Sequence, residues 1–360
     1  MDQFFPLTVT DIRHDTRDAV VVSLAPRPED AARFAYRPGQ YLTFRRDFDG
    51  EELRRSYSIC ATPAEGLRVG IKRVAGGAFS SFAKEELTVG DVVDVMPPQG
   101  RFTAPDLSEN EAPAGHYLLI AGGSGITPVL AILKTLLRTS DARVTLIYGN
   151  RDTASIMFRS EIAELKDRYL TRLSVVHVFD GESQEIPLFS GQITEAKAKE
   201  LFTGWVPVAG VTAAYLCGPK PMMDGVASAL GAAGLAKEQI HFELFLSDQP
   251  GRAARKAEAE AAKAAGDMVK ATVIIEGHAH TFDMPRRGQS VLEAAREHGL
   301  EAPYSCKAGV CSTCMCRLKE GEVEMMQNYA LEDYEVERGL ILSCQSIPLT
   351  DTITVEYESH

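Results

Sequence analysis

Residues 117–128 read Tyr117-Leu-Leu-Ile-Ala-Gly-Gly-Ser-Gly-Ile-Thr-Pro128. A five-residue apolar run, a glycine-rich turn and a helix-start signal follow one another, which is the grammar of strand, turn and helix. Glycine lets the backbone approach a pyrophosphate, and the helix N-terminus behind it favours anions. Thr127 is expected to cap that helix, with Pro128 at its first position. Alone, the fragment fits a purely structural βα turn equally well, because Pro128 occupies the last glycine place of a G-x-G-x-x-G. Four more apolar runs, at residues 144–148, 173–179, 213–217 and 240–245, alternate with helical patterns. Five strands separated by helices predict a parallel, doubly wound α/β sheet that binds ligands at the carboxyl ends of its strands.

The second of these strands ends Tyr148-Gly149-Asn150-Arg151. An acidic residue there would read a ribose 2′-hydroxyl. Arg151 suits a 2′-phosphate instead, so the expected coenzyme is NADPH, with NADH the alternative and Arg159 the next candidate cation. A plain surface arginine is the competing reading.

Upstream, short β-rich runs at residues 5–9, 18–24, 40–44, 56–59, 67–74 and 92–96 are punctuated by Gly, Pro and Asp. They predict a small antiparallel barrel or sandwich. Downstream, Ser247 to Met268 is Ala-, Glu-, Lys- and Arg-rich without a large apolar residue. It is an exposed helix or a loose tether, and a plain linker is the expectation carried forward. The predicted organisation is therefore a first domain over residues 1–112, an α/β domain over 113–246, a linker over 247–268 and a last domain over 269–360.

The 360 residues carry 38 Lys and Arg against 50 Asp and Glu, a net charge of −12, which disfavours nucleic acid as a partner. No secretory signal and no membrane span are visible, so a cytoplasmic location is expected. Seven cysteines, five of them in the last 60 residues, suggest metal binding rather than a disulfide framework.

Cys306-x4-Cys311-x2-Cys314, with Cys344 after 29 further residues, is the plant-type [2Fe–2S] spacing. A short loop wraps the cluster so that three thiolates point inward, Gly309 permits the tight turn, and Cys344 arrives from a distant segment. A structural zinc site built on Cys311 and Cys314 is the alternative. Cys316 is left over as a small core residue. The stretches Tyr304-Ser-Cys-Lys-Ala-Gly-Val-Cys311-Ser-Thr-Cys314 and Leu342-Ser-Cys344-Gln resemble plant-type ferredoxin domains, which implies an α+β (β-grasp) fold holding iron on those four cysteines.

Arg55-Ser-Tyr57-Ser58 and Gly77-Ala-Phe-Ser80 complete the pattern. An arginine can grip a diphosphate, and an aromatic two residues along a strand shares its face and can cover a flat ring. Gly77 permits close approach and Ser80 adds a hydroxyl donor. Followed by the α/β region, this order resembles the ferredoxin–NADP reductase family, with an antiparallel β-barrel for the flavin. The resemblance implies FAD, with Arg55 on its pyrophosphate, Tyr57 on the isoalloxazine, Ser58 near the reactive nitrogen, and Gly77 and Ser80 in a second phosphate segment. It also implies a G-x-G-x-x-P coenzyme turn at Gly123, Gly125 and Pro128, with Thr127 beside it. Cys217 and Gly218 then lie beside the nicotinamide, and Glu243 and Phe245 approach the flavin. Ser58, Cys217 and Glu243 are the implied catalytic residues.

Hydride brings two electrons at once and a [2Fe–2S] cluster takes one, so a flavin between them completes a path from NADPH to an outside acceptor. The pair of Glu-x-x-His motifs typical of diiron bundles is missing, which places oxygen chemistry on another protein. The whole order resembles reductases that end in a ferredoxin domain and feed bacterial oxygenases. Residues 16–20, 49–60, 146–151 and 328–331 are most similar to the reductases of phenylacetyl-CoA epoxidase (ring 1,2-epoxidase) complexes in aerobic phenylacetate degradation. Their diiron oxygenase subunits are then the implied partner. A reductase for a steroid hydroxylase, acyl desaturase or ring dioxygenase, and a non-enzymatic redox-sensing module, are the alternatives.

Overall fold

The β-rich runs before residue 105 pair into one antiparallel sheet. The computed structural model describes residues 3–48, 50–105, 115–245 and 252–357, and the chain divides into two compact units at residue 245. The expected boundaries at 112/113 and 246/247 lie outside the described residues. In the first unit, β1 (Phe5–Thr16), β2 (Ala19–Pro26), β3 (Tyr41–Phe48), β4 (Glu51–Ser58), β5 (Leu67–Lys72) and β6 (Val92–Val95) take the order β4-β3-β6-β1-β2-β5. A bridge between Ile59 and Val69 joins the two ends into a barrel, and helix α1 (Ala78–Glu85) follows β5.

Strand β2 shows why the barrel does not stand alone. Val20, Val22 and Leu24 point into the barrel core, while Ala19 and Val21 belong to a second core built mainly from the α/β layer. With both faces covered, the strand reads as a continuous apolar run rather than alternating. The α/β layer consists of β7 (His116–Gly122), α2 (Ile126–Thr139), β8 (Arg143–Asn150), α3 (Arg159–Arg168), β9 (Leu173–Phe179), α4 (Glu195–Gly204), β10 (Val211–Cys217), α5 (Lys220–Ala232) and β11 (Ile240–Glu243). Its five strands are parallel in the order β11-β10-β7-β8-β9.

A buried ion cluster fastens barrel to layer. Lys134 on α2 is fully buried. Its ammonium is 3.2 Å from Glu65 Oε2, contacts the Glu161 carboxylate on α3, and donates to the Cys60 carbonyl at 3.2 Å. Arg138 reaches Glu65 at 2.9 Å, and Arg68 on β5 reaches Glu161 at 3.0 Å. Burial alone would raise the Glu65 carboxyl, but the Thr62 amide, Lys134 and Arg138 hold it down to about 2. From β1, Asp15 accepts a hydrogen bond from the Phe158 amide at 2.7 Å, just where α3 begins.

The second unit opens with α6 (Arg252–Ala265), then β12 (Met268–Ile275), β13 (His278–Pro285), α7 (Val291–Glu297), β14 (Met315–Glu320), β15 (Val323–Met325), α8 (Asp333–Glu337), β16 (Leu340–Leu342), β17 (Ser346–Pro348) and β18 (Thr352–Glu356). The main sheet runs β13-β12-β18-β14-β16, mixed because β12 and β18 are parallel, and β15 pairs with β17.

Of the two readings open for residues 252–265, a helix or a loose tether, the structure shows the helix, α6. Ala, Glu, Lys and Arg are strong helix formers, and Ala259 and Ala262 are buried at 7% exposure each. Gly288 makes this packing possible. It takes φ +75°, and a Cβ there would lie 2.3 Å from the Arg255 carbonyl and 2.4 Å from the Ala259 amide. An alanine face seated on a glycine needs no large apolar residue, so hydrophobic periodicity could not reveal the contact. Gly288→Val is expected to undock α6 at a cost of about 1–3 kcal/mol. Amide exchange in residues 255–263 measures this, and unchanged protection would refute the docking.

Candidate functional site

At the turn after β7 the chain passes through a 3-10 turn at Gly123–Gly125 into α2. The N-cap is Gly125, so Thr127 and Pro128 are the second and third helical residues rather than cap and first position. Thr127 is buried, and its hydroxyl donates to the Ser124 carbonyl at 3.0 Å. It fixes the turn instead of facing the cavity, because the 3-10 turn displaces the helix start by two residues. Gly125 is needed for packing: a Cβ there would sit 2.1 Å from the Cys217 carbonyl.

Beside this turn lies a cavity of about 870 Å³ at the carboxyl ends of the parallel strands, as the doubly wound topology requires. Gly123, Gly125, Arg151, Gly218 and Phe245 line it. So do Lys72, Asn150 and Asp180, which sequence reasoning missed. In the sequence Lys72 is only the end of a strand. Asp180 follows the third strand, whereas the place expected for an acidic reader is the second. Cys217 is fully buried, its thiol pushed well up by burial and by Glu243, and it does not line the cavity.

The expected catalytic residues nevertheless converge. Cys217 and Glu243 are register partners on β10 and β11. Ser58, at the end of β4 and 1% exposed, donates its hydroxyl to Glu243 Oε2 at 3.0 Å. Burial pushes the Glu243 carboxyl up to about 8 against the opposing pull of that hydrogen bond. A raised carboxyl contributes stability that is fully present below its ordinary value of 4.5 and is lost as pH rises through about 8. Thermal stability is therefore expected to fall as pH rises across that window in the native chain and not in Glu243→Gln. Parallel pH profiles for the two would refute a protonated Glu243.

On the barrel side, Arg55 and Tyr57 share a face of β4. Tyr57 packs against Phe44 and Phe79, each with ring centroids 5.7 Å away. Arg55 Nη1 donates to the Arg54 carbonyl at 2.8 Å. Gly77 is the N-cap of α1. Ser80 departs from expectation: its hydroxyl donates to the Gly77 carbonyl at 3.2 Å and accepts from the Val74 amide at 3.1 Å. The donor expected to face a phosphate holds the turn instead. A guanidinium and an aromatic on one face of β4, together with the helix N-terminus at Gly77, are groups that suit a dinucleotide with a flat ring.

In the second unit the four expected ligands converge. Cys306 Sγ lies 3.1 Å from Cys311 Sγ, and Cys344 beside Cys314, together with burial, pushes the Cys314 thiol well up. The Ala308 amide donates to Cys306 Sγ at 3.3 Å, and Gln345 Nε2 lies 3.6 Å from Cys344 Sγ. Gly309 takes φ +73° in the tight turn. Four thiols with N–H groups aimed at sulfur fit a [2Fe–2S] cluster. Cys316 is buried on β14 within the apolar core near Tyr357. Asn328 explains the 328–331 motif: its side chain bonds the Ala330 and Leu331 backbone, while the Tyr329 amide donates to the Gly309 carbonyl and steadies the cluster loop.

Comparison with known proteins agrees with this division. Residues 7–104 match an oxidoreductase FAD-binding domain, 119–228 an oxidoreductase NAD-binding domain, and 273–349 a 2Fe-2S iron-sulfur cluster binding domain. The chain is 40% identical over 362 residues to a 1,2-phenylacetyl-CoA epoxidase subunit from Escherichia coli (strain K12), covering 100% of this chain and 99% of that protein. It is 34% identical to the ferredoxin reductase component of 3-ketosteroid-9-alpha-monooxygenase from Rhodococcus rhodochrous, covering 98% and 96%. The fold of phthalate dioxygenase reductase matches with a TM-score of 0.60 at 24% identity, over 99% of this chain and 98% of that one.

Proposed function

Because the chain belongs to the family of oxygenase reductases that join FAD-, NAD- and [2Fe–2S]-binding domains, we propose that it carries electrons from NADPH to the diiron oxygenase subunits of a phenylacetyl-CoA epoxidase. It is an oxidoreductase that supplies a separate oxygenase. The choice of acceptor rests on one observation, the 40% identity to the phenylacetyl-CoA epoxidase relative across the entire chain.

When bound, the flavin accepts an electron pair from the coenzyme and the cluster passes electrons on singly. The chain's own residues position these groups. Arg55, whose Nη1 donates to the Arg54 carbonyl at 2.8 Å, would hold the diphosphate by charge-assisted bonds. Tyr57 covers the ring. Ser58 is fixed by Glu243, which keeps a proton at its carboxyl near neutral pH. Gly123 and the α2 N-terminus receive the coenzyme pyrophosphate, and Lys72 adds a positive charge from the barrel. Arg151 favours a 2′-phosphate, so Arg151→Ala is expected to raise KM for NADPH more than for NADH. Cys306, Cys311, Cys314 and Cys344 hold the iron.

The ferredoxin domain also supports an electrostatic docking mode. From residue 269 onward there are 15 acidic and 8 basic residues. Glu320, Glu322, Glu324, Glu332, Asp333 and Glu337 are exposed, whereas Glu335 is buried and its carboxylate accepts from the Glu332 amide at 3.0 Å. Six carboxylates thus remain to steer the domain toward a basic patch. Raising salt from about 50 to about 500 mM is expected to slow transfer to the oxygenase more than flavin reduction by NADPH. An equal response of both steps would refute this docking.

No helix among the described residues is long and apolar enough to cross a membrane. None of the seven cysteines is joined in a disulfide, which suits a reducing compartment, and we place the protein in the cytoplasm. The deciding experiment isolates the native complex and assays NADPH-dependent oxidation of phenylacetyl-CoA. Turnover with the co-isolated oxygenase supports the proposal. A chain that reduces an artificial acceptor but sustains only a steroid hydroxylase points to the second relative instead.

A further inference from the structure

Asn150 is the last residue of β8, lines the cavity, and is 8% exposed. Neither its side-chain nitrogen nor its oxygen has a hydrogen-bond partner. Its backbone carbonyl is used, accepting from the Asp180 amide at 3.1 Å. The neighbouring Tyr148 hydroxyl donates to the Gly123 carbonyl at 3.0 Å, and the Asn150 side chain is at most a weak hydrogen-bonding neighbour that lowers its pKa against the larger effect of burial. The other unpaired buried polar atoms among the described residues are Arg68 Nε and His177 Nδ1, and neither residue lines the cavity. A buried amide without a well-formed hydrogen bond is costly, and leucine would fill nearly the same volume without that cost.

We propose that Asn150 is a coenzyme-reading residue whose amide binds the ribose on the adenosine side of the nicotinamide dinucleotide. The proposal rests on reading this cavity as the coenzyme site. Gly122 and Gly149 are register partners, so Asn150 stands one residue beyond the level at which the glycine turn begins, on the adjacent strand. In a doubly wound sheet the pyrophosphate occupies the first strand's turn and the adenosine ribose lies off the second strand. A ribose diol presents donors and acceptors together, and an amide is the neutral side chain that answers both. Arg151, next in the chain, is exposed and placed to meet a 2′ substituent. Asn150 therefore sets affinity for both coenzymes, and Arg151 sets discrimination between them.

The test is equilibrium binding of NADP⁺, NAD⁺, ADP-ribose and nicotinamide mononucleotide to the full chain carrying FAD and cluster. It compares the native protein with Asn150→Leu and Asn150→Ala, alongside the Tm of each without coenzyme. Both variants are expected to bind NADP⁺, NAD⁺ and ADP-ribose about tenfold more weakly, with nicotinamide mononucleotide unchanged. KM should rise and kcat stay constant. Asn150→Leu should melt no lower than the native chain, since it relieves an unpaired amide. Binding within about twofold of native in both variants would mean that water alone meets the amide and would overturn the proposal. Loss confined to nicotinamide mononucleotide would overturn the placement, and a Tm lowered in both variants would assign Asn150 to structure. A native chain that binds none of the four probes would overturn the cavity reading itself, and Asn150's role with it.

Discussion

Serine at Cys306, Cys311, Cys314 or Cys344 is expected to remove the [2Fe–2S] cluster, whereas serine at Cys316 leaves it in place. The four ligand thiols face one another at the loop, with the Ala308 amide and Gln345 Nε2 directed at two of the sulfurs. A hydroxyl is a far poorer ligand for iron than a thiolate. Cys316 is 1% exposed and packs in the core on β14, so its substitution costs only the burial of a hydroxyl, about 1–3 kcal/mol. Iron per chain and visible absorption separate the two classes. The four ligand variants should also lose transfer to the oxygenase while keeping flavin-dependent reduction of a small artificial acceptor. Cluster loss from Cys316→Ser equal to that from the other four would overturn the ligand set.

Lys134→Met should produce the largest fall in stability. The lysine has no exposed surface, and its removal leaves Glu65 and Glu161 sharing a partly buried site without their central cation. Breaking a buried pair in this way costs about 3–5 kcal/mol. For a unit of this size that lowers Tm on the order of 10 °C. The acid limb should change as well. Glu65, depressed to about 2, contributes stability that is present above its ordinary value of 4.5 and is lost as pH falls through about 2. Without Lys134 part of that loss disappears. Adding Glu161→Gln to Lys134→Met should restore much of the stability by removing one uncompensated charge. A Tm within about 2 °C of native for the single variant would show that the cluster does not fasten the barrel to the α/β layer.

Much of this architecture could be read from residue order. Strand runs such as residues 117–121 and 213–217 were visible because both faces of a parallel strand are covered and the run is continuously apolar. The cluster ligands were legible because thiolate geometry fixes their spacing. Contacts made by backbone rather than by side-chain type were not. The 3-10 turn at Gly123–Gly125 shifts the start of α2 and turns Thr127 inward, and nothing in the local pattern marks that shift. Ser80 looked like a phosphate donor, yet its own turn supplies nearer partners. Glu335 sits in an acid-rich stretch of sequence, yet it is buried and closes a hydrogen bond at the start of α8. Asn150 was invisible for a different reason: its informative property is the absence of a partner, which only packing reveals.

The docking of α6 on Gly288 makes the length of the connecting segment a matter of phase. In a coil, one extra residue adds only a few ångströms of contour and is absorbed. In a seated helix, each residue turns the chain by about 100°. A single alanine inserted between residues 259 and 262 would rotate the preceding turn off the glycine, so that a charged side chain meets it, whereas an insertion of seven residues brings the alanine face back to within about 20° of register. Homologous segments of different length should therefore differ by whole turns wherever the alanine–glycine contact is retained. Insertion tolerance in this stretch would then be periodic rather than smooth.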